Sequence, residues 1–124
     1  MTKEDKELLI KDISARLPYG VKAEYKNEIF GIEYVSPKYE EVKLDTHETW
    51  TVDVSEVKPY LFPIFTMSKE KEKEYANILV LCGTIGYSLV MGSTVEDWFN
   101  YNHFDYRGLI SRGLAIDATG LNIY

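Results

Sequence analysis

The chain has 124 residues and a formal net charge of −6, with 45% hydrophobic and 14% aromatic residues. These proportions suit a single ordinary core over residues 1–124, leave too little chain for a second independent core, and exclude a disordered polypeptide. Net acidity without any run of Lys or Arg argues against direct binding to nucleic acid or to an anionic membrane surface, since both need clustered cations to neutralise phosphates.

The pattern predicts a helix over residues 3–17. Thr2 stands as its N-cap with Asp5 three positions on, Leu9, Ile13 and Leu17 share one face, and Pro18 with Gly20 ends it. Strands are expected over Val21–Tyr25 and Ile29–Val35, joined by Lys26-Asn27-Glu28, then over about Glu41–Leu44 and Glu48–Val54. Together they make an antiparallel meander of four short strands, with a barrel-like curl left open. Val57–Ile64 reads as an irregular apolar strap, because Pro59 and Pro63 exclude a helix or a central strand. Ser68 caps a second helix, Lys69 to about Val80, whose polar start is a solvated face. Alternation of Thr84, Gly86 and Ser88 with Ile85, Tyr87 and Leu89 suggests a strand over Thr84–Met91. Ser93-Thr-Val-Glu96 has the form of a capping box opening a third helix, with Val95, Trp98 and Phe99 turned inward. A helical turn over Asp105–Ile110 and an extended Leu114–Asp117 follow. The fold class is therefore α+β: an N-terminal helix, a small antiparallel sheet and a mostly helical C-terminal part. Trp50 and Trp98 both fall in the apolar phase of their elements and are expected to be buried.

Charge divides the chain unevenly. Residues 1–74 hold 28 charged side chains and residues 75–124 only six. So few charges leave the second part either buried or covered, which points to a protein partner or to self-association. The single cysteine, Cys82, rules out an intramolecular disulfide and reads as a small hydrophobe within Ile78–Cys82. The longest apolar stretch, Ile78–Met91, is broken by Gly83, Thr84, Gly86 and Ser88 and is too short for a membrane span of about 20 residues. With no apolar signal core after the charged start, a cytoplasmic location is expected.

The densest block of functional side chains is His103–Asp117, with one histidine, two carboxylates, two arginines and two aromatic rings in fifteen residues. Its candidate binding residues are His103, Asp105, Tyr106, Arg107 and Arg112. As a catalytic site it would use His103 as base, Asp105 or Asp117 to orient it, and Arg107 to hold an anion. The block lacks a nucleophile motif, a phosphate loop and a metal-ligand spacing. The structural alternative is more economical: Asp105 caps a turn, Phe104 and Tyr106 pack inward, and Arg107 pairs with a carboxylate or with carbonyls, leaving His103 partly exposed at the edge. His103 with Asp105, and His47 with Asp45 and Glu48, are the two groupings worth testing for metal, but two histidines make a poor ligand set and no metal or cofactor is expected.

Three blocks together, Ala15–Val21, Val57–Pro63 and His103–Ile110 with Gly113-Leu-Ala115, resemble a family of short uncharacterised proteins from gut Bacteroidetes and their phage-like or mobile elements. The resemblance covers nearly the whole chain, from the first helix to Ile116, and is weaker over Tyr75–Gly92. It implies an origin but no activity, cofactor or catalytic residue. The function expected on these grounds is a non-enzymatic protein-interaction module of phage or mobile-element origin. The alternatives are a small enzyme using His103–Asp117 and an acidic antagonist that covers the basic surface of a nucleic-acid-binding protein.

Overall fold

The structure is a computed structural model that describes residues 1–45, 51–84 and 88–124, with side chains outside 80–94. His47, Glu48 and Trp50 lie outside the described residues, as does the side chain of Cys82.

Helix α1 spans Lys3–Arg16 and opens as its sequence demands: the Thr2 hydroxyl accepts the Asp5 amide at 3.1 Å. A 3-10 turn over Leu17–Tyr19 follows, and Gly20 takes φ 76°, the left-handed conformation that glycine adopts without a steric penalty. Strands β1 (Lys22–Tyr25) and β2 (Glu28–Ser36) form a hairpin in which Tyr25 faces Glu28. The intervening Lys26 and Asn27 both have positive φ, 49° and 64°, as a two-residue turn matched to the strand twist requires. β3 (Glu41–Leu44) and β4 (Val52–Asp53) extend the antiparallel pairing.

The expected strap corrects to a strand. β5 (Lys58–Leu61) pairs antiparallel with β1, and β6 (Ile116–Asp117) adds to it in parallel through Tyr60 and Leu61. Pro59 stands in register with Ala23 of β1, at the end of β5 that lies outside the β6 pairing of Tyr60 and Leu61. The sheet order is β4-β3-β2-β1-β5-β6. Among the described residues the sheet is thus mixed and six-stranded rather than a four-stranded meander, and its two edges do not meet, so it is open and not a barrel.

Helix α2 runs Lys69–Thr84, capped by the Ser68 hydroxyl on the Lys71 amide at 3.2 Å, and α3 runs Ser88–Tyr101. The strand expected over Thr84–Met91 is therefore overturned: Thr84 ends α2 and Ser88–Met91 begin α3. An alternation of eight residues is too short to separate a period of two from one of 3.6. Ser93 accordingly lies inside α3 and does not open it. The helices pack on each other through Tyr75, whose ring sits 5.7 Å from Trp98 and 5.3 Å from Phe99. Phe99 is the buried member of that pair and Trp98 is only half-buried, its indole N–H bonded to Glu74 at 3.3 Å. Beyond Tyr101 the chain is turns and β6, so the α+β class holds while the stretch over Asp105–Ile110 is a bonded turn. No described helix is long and apolar enough to cross a membrane.

The main core lies between α1 and the sheet, around Leu9, Ile13, Val21, Val42, Leu61 and Leu109. A smaller cluster, Tyr60, Ala118 and Ile123 with Phe62 and Ile116, sits apart from it.

Candidate functional site

The His103 block is built where α3 ends. The Phe104 amide bonds the Phe99 carbonyl at 2.9 Å and the His103 amide bonds that of Asn100 at 3.2 Å, the paired 6→1 and 5→2 bonds of a Schellman ending. His103 occupies the left-handed position of that motif, φ 61°, where glycine is the usual residue. The chain then runs beside the end of β5: Phe62 donates to the His103 carbonyl at 2.8 Å and its own carbonyl accepts the Asp105 amide at 2.9 Å. These bonds hold residues 103–105 against the end of β5.

Asp105 caps the next turn with both oxygens, accepting the Leu109 amide at 2.8 Å and the Ile110 amide at 2.9 Å. This is the role its position before an apolar turn suggests. Arg107 pairs with a carboxylate, but one supplied from the far end of the sequence: Nη1 donates to Asp12 Oδ1 at 2.9 Å. Asp12 also accepts Arg16 Nε at 2.9 Å and Arg16 Nη2 at 3.1 Å, while Arg16 Nη2 reaches the Phe104 carbonyl at 2.7 Å. Asp12 and Arg16 are fully buried. Both guanidinium groups lie near the Tyr106 ring, 4.5 Å from its centre for Arg107 and 5.5 Å for Arg16, and the ring stacks on Phe99 at 5.1 Å. Burial pushes the Tyr106 hydroxyl up from its ordinary pKa, against the opposing effect of the Arg107 cation. Arg112 stands outside this group, more than half exposed, 3.5 Å from Asp5.

His103 is buried, not at a partly exposed edge as its sequence position suggested. Its ring lies flat on Tyr124, centroids 3.5 Å apart and planes 9° from parallel, and Nδ1 has no hydrogen-bond partner among the described residues. Burial first, then the Arg16 and Lys22 cations, pull its pKa from 6.5 to about 4, so the imidazole is neutral at pH 7. Neither candidate carboxylate orients it. Both Asp105 oxygens hold amides, and Asp117 Oδ1 accepts the Thr119 amide and hydroxyl at 2.9 and 2.6 Å. Among the described residues no three His, Cys, Asp or Glu side chains converge as metal ligands.

Two residues that sequence reasoning passed over, Asp12 and Arg16, tie the block to α1. Their signal was present: positions 12 and 16 fall on the same helical face as Leu9 and Ile13, and opposite charges four apart on an apolar face mark a buried pair. Two concavities flank the block. One, about 350 Å³, lies between the start of α2 and His103, with Phe62, Lys71, Tyr101 and Tyr124 in its walls. The other, about 570 Å³, is a shallow groove lined by Pro63, Ile64, Phe65, Asp105, Gly108 and Ile110 among others. The chain matches no protein-family model, no curated protein and no solved structure.

Proposed function

We propose that this protein is a non-enzymatic module that binds another protein, of the phage or mobile-element origin that the sequence resemblance implies. The observation that carries the reading is Phe65. It sits on the 3-10 turn Ile64–Thr66, 88% exposed, beside the apolar groove that also contains Ile64 and Ile110. An isolated exposed hydrophobe needs no explanation, but a ring projecting next to an apolar groove is the form of an interface anchor. The catalytic-looking side chains support the same reading: Asp105, Arg107 and Asp117 are committed to internal bonds, which leaves His103 without an acid–base partner. The binding partner is a protein, a second copy of this chain included. The test compares wild type with Phe65→Ser, by capture from the native host and by sedimentation at micromolar concentration. Loss of one captured protein, or of a dimer, on substitution supports the proposal. Identical captured sets and a monomer for both proteins refute it.

A further inference from the structure

Tyr124 occupies a slot that the rest of the chain builds for it. One face of its ring rests on His103, and the Phe62 ring lies 6.0 Å away. Its hydroxyl accepts the Lys22 amide at 2.9 Å and donates to the Tyr60 carbonyl at 2.8 Å. The residue is 40% exposed, and partial burial drives the pKa of its hydroxyl up to about 12. A flat π face with one donor and one acceptor placed to hold a single hydroxyl on both sides recognises a phenol. A benzene ring would satisfy only half of it.

The segment that delivers Tyr124 is lightly held. Residues 119–122 are exposed, and only Ala118 and Ile123 are buried, in the small cluster separate from the main core. Past the Ala118 amide, bonded to the Leu61 carbonyl at 2.8 Å, it is fastened by Lys22, whose Nζ donates to the Ile123 carbonyl at 3.0 Å, and by Tyr124 itself. Segments with few buried apolar contacts open at lower free energy than the whole fold. The slot persists without the segment, because the Schellman ending and the bonds to Phe62 hold His103 in place. His103 holds a left-handed conformation, φ 61°, and turns the flat of its ring to Tyr124.

We infer that residues 118–124 form a displaceable strap, and that the slot beneath it binds a phenol side chain, supplied here by Tyr124 and, when the strap lifts, by a tyrosine of a protein partner. The 350 Å³ concavity that shares His103, Phe62 and Tyr124 gives room for the residues flanking such a tyrosine. Only the partner clause rests on the binding-module reading; the slot and strap stand without it.

The experiment uses the full chain carrying Tyr124→Ala, titrated with 4-methylphenol and with toluene and followed by NMR. We expect saturable binding of 4-methylphenol at about 1 mM, at least about tenfold weaker binding of toluene, and no binding of either by wild type. In wild type the Lys22 amide, held by Tyr124, should exchange with solvent at least about tenfold faster than the Ile32 amide, held by the Val21 carbonyl within the sheet. A folded variant that ignores 4-methylphenol overturns the phenol site. A variant that fails to fold, or equal protection of Lys22 and Ile32, overturns the strap. Neither result touches Phe65, so failure here is separable from failure of the binding-module reading.

Discussion

Replacing Asp12 with Ala is the most direct test of how the two ends of the sequence are joined. The substitution removes three N–H···O bonds of 2.9–3.1 Å and leaves two guanidinium groups facing each other without their carboxylate. The consequences for the two differ. The Arg107 side chain is 12% exposed and can turn toward water, whereas that of Arg16 is wholly enclosed and already has one nitrogen, Nη1, without a partner among the described residues. Arg16 therefore carries most of the penalty, and breaking a buried pair by removing one partner costs about 3–5 kcal/mol. Equilibrium urea unfolding should show a loss of that size in Asp12→Ala. The double variant Asp12→Leu/Arg16→Met should lose much less, since it replaces the pair with apolar volume instead of stranding a charge. A loss below about 1 kcal/mol in Asp12→Ala would refute the argument, because it would mean that Arg16 finds water or another acceptor within the fold.

Asp105→Ala should cost about 1–2 kcal/mol in the same assay, as the Leu109 and Ile110 amides lose their acceptor; a neutral result would show that the turn closes without its cap. His103 gives a pH signature. The unfolded chain takes up its proton near 6.5 and the folded chain near 4, so the stability owed to the neutral ring is complete above pH 6.5 and falls by about 3 kcal/mol as pH drops to 4, then levels. His103→Asn, chosen because Asn tolerates a φ of 61°, should flatten the difference between pH 7 and pH 4; an unchanged slope assigns it to carboxylates instead. Phe99→Ala should cost about 3–4 kcal/mol, roughly twice the loss at the half-buried Trp98, and the reverse order would mean that α3 is rotated about its axis.

The parts of the fold that are legible in the sequence are those written in local signals. Thr2, Pro18, Gly20 and Ser68 punctuate helices by satisfying or denying backbone hydrogen bonds next to themselves, and the structure places the ends of α1 and the start of α2 where they stand. Strands β1 to β3 follow from alternation. What escaped was non-local. β5 is a strand because β1 and β6 offer it partners, and two prolines outweighed that in a reading that saw only neighbours. The α3 start was lost because Thr84–Met91 supports two periods equally well. At the site, the turn cap by Asp105 and the carboxylate partner of Arg107 were readable in kind, from residue type and position. The identity of that partner, Asp12, and the burial of His103 under Tyr124 were not, because both depend on residues about twenty to a hundred positions away.

The bonds that complete the corner also set a timetable for folding. Arg16 meets the Phe104 carbonyl across 88 residues, Asp12 meets Arg107 across 95, and Lys22 meets Tyr124 across 102. Each closes a loop of more than two thirds of the chain, and its entropic cost comes before the contact gives anything back. The β1–β2 hairpin and the α2–α3 pair can form early, since their partners are near in sequence. Helix α1 cannot bury its charged pair against the block until residues 104–107 arrive, so a partly made or clipped chain carries Asp12 and Arg16 on an open apolar face. Late consolidation of α1 and susceptibility of shortened chains to proteolysis are the expected kinetic counterparts of that one carboxylate between two arginines.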